Sequence, residues 1–445
     1  MSIFEQRESN LRGYCRIYPT VFDKAYNAIQ TDENGRDYID FFAGAGVLNF
    51  GHNNKLMTEA AIHYIQQNGV LHSLDMSTRI KREFMQKFVD VVLNPRNMPH
   101  KMQFVGPTGT NAVEAALKLA RRVTGRQTVV AFNHAFHGMT LGSLAATANN
   151  YFRGAAGVPL NHVQHVPFGS EVENQRPQDG QIDAHVALAQ LAAQYRDSSS
   201  GIEPPAAFLV EVVQAEGGVY VADKTWLHNL AALAKDVGAL LIVDDIQAGM
   251  GRTGSFFSFD DYGIDPDIVC LAKGLGGLGT PIAMNLVKPE WDDHWHPGEH
   301  TGTFRGQSLS FIGGAQALRY FEDDAFMGEV QRKASMMHHY LTALRRYPQI
   351  EVRGKGMMIG IDVKDGDVAK QVVSDCFQQG LLLGACGTGG QVIKLIPPLT
   401  IEDVYLAKGL NIVVAAIEHA LANAKISADT GAEADTDTET LREAK

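Results

Sequence analysis

Only four cysteines occur among 445 residues, Cys15, Cys270, Cys376 and Cys386, and none belongs to a CxxC pair. That sparseness excludes a disulfide scaffold and a zinc knuckle. A chain of this length buries enough apolar surface to need neither. Basic residues are also short: 39 Lys and Arg against 50 Asp and Glu give a formal charge of −11, the wrong sign for wrapping phosphate backbones. Apolar runs such as Ala239–Val243 are too brief to span a bilayer. The opening MSIFEQRESNLRGYCRIYPT lacks the apolar core of a signal peptide, so a soluble cytoplasmic protein is expected. Asp293-His-Trp-His-Pro-Gly-Glu-His300 contains good ligand types at no recognisable ligand spacing, so no metal is expected. No internal repeat is visible.

What is present is a regular alternation between about residues 100 and 290. Short apolar runs at Met102–Val105, Thr128–Phe132, Ala206–Val213, Ala239–Val243, Asp267–Ala272 and Ala283–Val287 read as strands buried on both faces. Between them, Asn111–Val123 sets Val113, Ala116, Leu117 and Ala120 on one helix face, and Trp226–Val237 repeats the pattern before Gly238. The alternation predicts an α/β fold with a mostly parallel sheet flanked by helices. The ends differ: a hairpin is expected around 28–42, strands at Glu351–Val363 and Val392–Leu395, and a last helix from Glu402. They are assigned to a smaller α+β domain built from both chain ends. The expected division is 1–70 and 316–425 for the small domain, 71–315 for the large one, and an acidic, unstructured tail over 426–445.

Three segments can carry chemistry. Val105-Gly-Pro-Thr-Gly-Thr-Asn runs from a strand through a small-residue loop into a helix, where Gly109 and Thr110 can offer N–H groups to an anion. It is neither GxxxxGK[ST] nor GxGxxG, and an ordinary βα loop would look much the same. Leu241-Ile-Val-Asp244-Asp245 ends a strand on two acids, suited either to a ring nitrogen or to capping a helix. Asp267-Ile-Val-Cys-Leu-Ala-Lys273 ends a strand on a lysine, which burial would make nucleophilic toward carbonyls. A phosphate cradle, an acid for a pyridine nitrogen and a lysine for an aldehyde are together what pyridoxal 5'-phosphate requires.

The ordered set GPTGTNAVEAALKLAR, AFHGMT, EVVQAEGG, IVDDIQAGMGRTG and LAKGLGG resembles the class III (ω-amino acid) aminotransferases. The resemblance runs from FFAGAGVLNFGHNN to VIKLIPPLTIED, all but the tail. It implies the fold type I architecture of pyridoxal-phosphate transferases. It also implies roles: Lys273 holds the cofactor covalently and then carries the proton, and Asp244 pairs with the ring nitrogen. Phe136 stacks on the ring with His137 beside it, Gly109 and Thr110 bind the phosphate, Gln247 faces the phenolic oxygen, and Glu211 orients the network. Thr303 in HTGTFRGQ is implied to reach the phosphate of a neighbouring subunit, making a homodimer or an assembly of dimers. IFEQRESNLRGYCRIYPTVFDKA and EHTGTFRGQ are similar to the diaminobutyrate-forming branch, which implies glutamate as donor, aspartate 4-semialdehyde as acceptor, and a place at the start of ectoine biosynthesis. Ornithine, acetylornithine and 4-aminobutyrate types are the alternatives within the class. A class III aminomutase or decarboxylating enzyme would keep the fold and change the reaction, and a non-catalytic binding protein is the alternative outside enzymes.

Two substitutions depart from the family pattern. Ornithine-type relatives carry Arg, which grips a carboxylate, where this chain has Met139. Related enzymes also place Arg before the Pro-Pro pair, swinging between the substrate and a Glu of E-x-x-Q-x-E. The corresponding residues here are Lys394 and Glu216, expected to form a similar gate unless Lys394 simply snorkels to solvent.

Overall fold

The structure, a computed structural model, describes residues 2–171 and 182–440, with side chains as far as residue 424. Among the described residues seven strands form the large sheet: β1 Lys101–Phe104, β2 Val129–Phe132, β3 Val163–Val166, β4 Ala207–Val210, β5 Leu240–Asp244, β6 Ile268–Leu271 and β7 Met284–Val287. Their spatial order is β1-β7-β6-β5-β4-β2-β3. All pairs are parallel except those of β7, which runs antiparallel to both β6 and β1.

Strands β2, β4, β5 and β6 divide their side chains between two cores, which is why their sequences are near-continuously apolar rather than alternating. Phe208, Val210, Leu241 and Val243 join the layer containing Trp226 and Leu230. Their neighbours Ala207, Leu209, Leu240 and Ile242 pack against Val113, Ala116, Leu117 and Ala120. Those residues belong to helix α1, Gly109–Thr124, which ends on Gly125 at φ 69°. β3 was not expected: Gln164 and His165 interrupt its apolar run, as suits the edge of a sheet.

Both chain ends share one further sheet. Phe22–Tyr26, Ile29–Asp32 and Asp37–Asp40 form a meander, and Leu381–Leu382 pairs in parallel with the last of them. Glu351–Lys355, Met358–Asp362, Val392–Leu395 and Gly384–Cys386 make another four-stranded sheet. The stretch expected as one strand over Glu351–Val363 is a hairpin, turned at Gly356 with φ 59°.

The last helix is Asp403–Thr440, so its backbone continues through most of the segment expected to be an unstructured tail. Side chains from 425 on, and residues 441–445, lie outside the described residues. Asp403–Ala424 is long and apolar enough to cross a membrane by length and composition. Its stripe of Leu406, Leu410, Val413 and Ile417 is instead buried in the core with Val372 and Cys376.

Candidate active site

The parallel strands end at one edge of the large sheet, and the chemistry-bearing residues follow from that geometry. Asp244 closes β5, Glu211 follows β4, and Lys273 stands two residues beyond β6. Phe136 and His137 lie in the loop after β2, and Gly109 and Thr110 open α1 after β1. All of these, with Glu216 and Gln247, line one cleft of about 160 Å³. Gly138 and Ile246 also line it, and neither was anticipated. A roomier cleft of about 790 Å³ lies at the opposite ends of the strands, around Arg126 and Asp267. Its Lys288 is paired with Asp265 and Asp267, so no free amine faces that space from this position.

Asp244 is 5% exposed and accepts from the ring of His137, Nδ1 to Oδ2 at 2.7 Å, and from the Ile246 N–H at 3.2 Å. Burial works to neutralise His137, but the hydrogen bond and charge of Asp244 outweigh it and raise the imidazole's pKa. His137 therefore backs the carboxylate from behind. Asp245 faces the other way, accepts from the Ser258 N–H, and does not line the cleft. The side-chain alternation of an extended chain separates the two acids.

Glu211 accepts from the N–H groups of Phe136 at 2.9 Å and Ala215 at 3.4 Å, fixing the aromatic loop. Burial pushes its carboxyl up to about 7, with His137 opposing and Asp244 adding to the rise.

Lys273 sits in a tight turn with φ 49°, a left-handed conformation costly for a residue with a side chain. Burial lowers its amine to about 8, partly offset by Glu216 and reinforced by Lys394. An amine so placed sheds its proton far more readily than an exposed lysine.

The lysine that departs from the family pattern meets the glutamate that keeps it. Lys394, 2% exposed, forms an ion pair with Glu216 and lies 3.3 Å from Gln247 Oε1. Its strand neighbours on both sides are glycines, Gly360 and Gly384. Burial opposes the charge on Lys394, but Glu216 raises its pKa overall. Burial likewise opposes the charge on Glu216, and Lys394 and then Lys273 lower its pKa. Lys394 does not snorkel to solvent. Gln247 donates to the Ala45 carbonyl at 2.6 Å, anchoring itself to a left-handed turn in which Ala43 and Ala45 have φ 47° and 58°. Tyr14, which sequence reasoning passed over, is close enough to feel both Glu216 and Lys394; burial, then Glu216, raises its phenol.

Thr303 is exposed and does not line the cleft of its own chain. Glu114 and Lys118 stand four apart on α1, the spacing of a local ion pair, but they are not partners. Lys118 reaches the Glu299 carbonyl at 2.6 Å and lies over the Trp295 ring, while Glu114 turns to Thr140 and Ser143.

The donor set fits pyridoxal phosphate. The first N–H groups of α1 have no acceptor within the helix, and its dipole favours an anion there. A Cβ on Gly109 would lie 3.0 Å from Ile246, so glycine keeps that end open. Asp244 offers an anion for a ring nitrogen, Lys273 an amine for an aldehyde, and Phe136 an aromatic face.

Comparison with known proteins agrees with this fit. Residues 12–417 match the family described as aminotransferase class-III. The chain is 48% identical over 421 residues to a diaminobutyrate–2-oxoglutarate transaminase of Halalkalibacterium halodurans, covering 94% of this chain and 96% of that one. It is likewise 48% identical to the protein of that name in Nocardia farcinica, with 94% of each chain covered. Among solved structures, an aminotransferase of Bacillus anthracis superposes with a TM-score of 0.82 at 24% identity, over 94% of this chain and 97% of its own. The ornithine aminotransferase of Toxoplasma gondii gives 0.79 at 24% identity, over 94% of both. These structures share the fold.

Proposed function

Because the chain belongs to the class III aminotransferases, we propose that it moves the amino group of L-glutamate to the aldehyde carbon of L-aspartate 4-semialdehyde. The products are 2-oxoglutarate and L-2,4-diaminobutyrate, a reaction that would open ectoine biosynthesis. The observation that carries the chemistry is the placement of Lys273 and Asp244 across one cleft at the carboxyl edge of the sheet. Near full-length identity to transaminases of that substrate supports the specificity. Pyridoxal phosphate, when bound, supplies the carbonyl that takes up the amino group and the ring that accepts an electron pair. Asp244, braced by His137, keeps a proton at the ring nitrogen. Lys273 takes the proton from the substrate carbon and returns it. Glu211 holds the Phe136 backbone so that the aromatic face stays in place.

Two substrates must use one site. In glutamate the distal carboxylate carbon is three bonds from the reacting carbon, and in diaminobutyrate reacting at C4 the only carboxylate carbon is also three bonds away. One distal contact serves both, whereas the proximal carboxylate exists in glutamate alone. A bare cation near the reacting carbon would be left unpaired with diaminobutyrate, which is costly in a partly dry site. The ion pair between Lys394 and Glu216 is the masked state of such a cation. Glutamate would release Lys394 by offering its own carboxylate. A lysine provides a point charge rather than a bidentate fork, so this grip is weaker than an arginine's.

We also place the enzyme in the cytoplasm as a homodimer or an assembly of dimers. Leu71, Leu74, Met76 and Phe304 are exposed next to Thr303, with the His72 and Phe304 rings in contact at 5.4 Å. Such a patch favours burial against a second copy, which would bring Thr303 to that copy's phosphate.

Single-turnover measurement of each half-reaction tests the assignment. The wild type is expected to convert glutamate to 2-oxoglutarate and then, given the semialdehyde, to form diaminobutyrate. Glu216→Gln leaves Lys394 unmasked, and is expected to slow the diaminobutyrate half about tenfold or more while sparing the glutamate half. Equal losses in both halves would end the gate. A wild type inert to glutamate would end the assignment.

A further inference from the structure

Beyond the residues that touch the cofactor, the structure assigns Glu114 as a positioning residue for the phosphate end of the cleft, an inference that rests on the cofactor reading above. Glu114 is on the second turn of α1 and lines no part of the cleft. One of its oxygens accepts from the Thr140 hydroxyl at 2.5 Å and from the Ser143 N–H at 3.0 Å. Thr140 in turn meets the hydroxyl of Thr110, 2.6 Å away, and its N–H lies 3.4 Å from the same oxygen.

The direction of this chain of hydrogen bonds follows from proton counting. An ionised carboxylate only accepts, so the single hydroxyl proton of Thr140 is committed to Glu114. The contact between the two threonines must then be donated by Thr110. Glu114 thus fixes which way the Thr110 side chain turns and holds it on the loop side of the helix terminus. Ser143 adds a second tie, its hydroxyl donating to the Thr110 carbonyl at 3.1 Å. Together these bonds clip the loop carrying Phe136 and His137 onto the first turn of α1.

Two glycines make room for these contacts, Gly138 in the loop and Gly142 in the helix Leu141–Ala146 that follows it. A Cβ on Gly142 would lie 2.2 Å from the Glu114 carboxylate, and one on Gly138 would lie 2.5 Å from the Thr110 hydroxyl. Both clearances let Glu114 and Thr110 approach this segment.

The role predicts a selective defect. Pyridoxal phosphate and pyridoxal differ only in the phosphate, so the ratio of their dissociation constants reports on that end of the cleft alone. Full-length enzyme stripped of cofactor would be titrated with each, and folding checked by circular dichroism melting. Glu114→Ala is expected to weaken pyridoxal phosphate by about tenfold or more, the scale of one charge-assisted hydrogen bond, with pyridoxal unchanged. Thr140→Val, which cuts the link but leaves Glu114 on Ser143, should shift the ratio in the same direction. Glu114→Gln should restore it toward wild type, because the amide oxygen still accepts from both donors. Equal weakening of the two ligands, an unchanged ratio in Glu114→Ala, or a glutamine variant as poor as the alanine one would overturn the inference. A wild type that fails to discriminate the two ligands would instead overturn the cofactor reading.

Discussion

Lys273→Ala is expected to stop transamination, lowering turnover by at least about a thousandfold, the upper part of the range for loss of a positioned acid–base group. The loss is large because the lysine has two tasks, as nucleophile and as proton carrier, and no substitute stands by. Lys394 is an amine whose charge acts on Lys273, but it is buried and held by Glu216. Burial lowers the Lys273 amine to about 8, so it gives up its proton more readily than an exposed lysine. The variant should fold, and should still retain cofactor through the first turn of α1 and Asp244, without the visible absorbance that glutamate discharges in the wild type. Residual turnover near about a tenth of wild type would contradict both tasks, since even one of them is worth more than that.

Asp244→Asn is expected to cost about a hundredfold or more in turnover while leaving the fold intact. The amide matches the carboxylate in shape and can still accept from Ile246, so the geometry persists and only the charge is lost. Without that charge the ring nitrogen has no anion to hold its proton, and the electron-accepting power of the ring falls. A second consequence concerns His137. Its pKa in the folded chain is raised above 6.5 against the opposition of burial, the hydrogen bond and charge of Asp244 prevailing. Its pairing therefore contributes stability that is fully present below about 6.5 and lost as pH rises through the folded value. The asparagine variant should flatten that dependence in thermal melts. Activity near wild type would require another ring partner, and Asp245 is not available, since it faces Ser258.

The parallel sheet was legible because burial on both faces leaves a near-unbroken apolar run in its inner strands, whereas β1, expected to be buried on both faces, is an edge strand that carries Gln103 and is only partly buried. β3 was not legible, since an edge strand tolerates Gln164 and His165. Lys273 and Asp244 were legible for a related reason: a charged residue ending such a run must sit at the sheet edge. Which of the two adjacent acids faces the cleft depends on the strand's register, which a dipeptide does not reveal. The partners of Glu114 were not legible, because a spacing of four along a helix suggests Lys118, whereas Thr140 and Ser143 lie about 30 residues away at the start of another helix. The meeting of Lys394 with Glu216 joins residues 178 positions apart, and only the resemblance to related enzymes suggested it. The contact expected of Thr303 involves a second copy, which no local pattern encodes.

Competition among aldehydes, with glutamate as the common donor, tests the central claim most directly. The enzyme would be offered aspartate 4-semialdehyde, the ornithine-derived glutamate 5-semialdehyde and the 4-aminobutyrate-derived succinate semialdehyde, with products separated and quantified. One methylene distinguishes the first two, a difference that a fitted site converts into about 10–200-fold in kcat/KM. Diaminobutyrate is expected to dominate by at least about tenfold. Dominant formation of ornithine or 4-aminobutyrate would contradict the account.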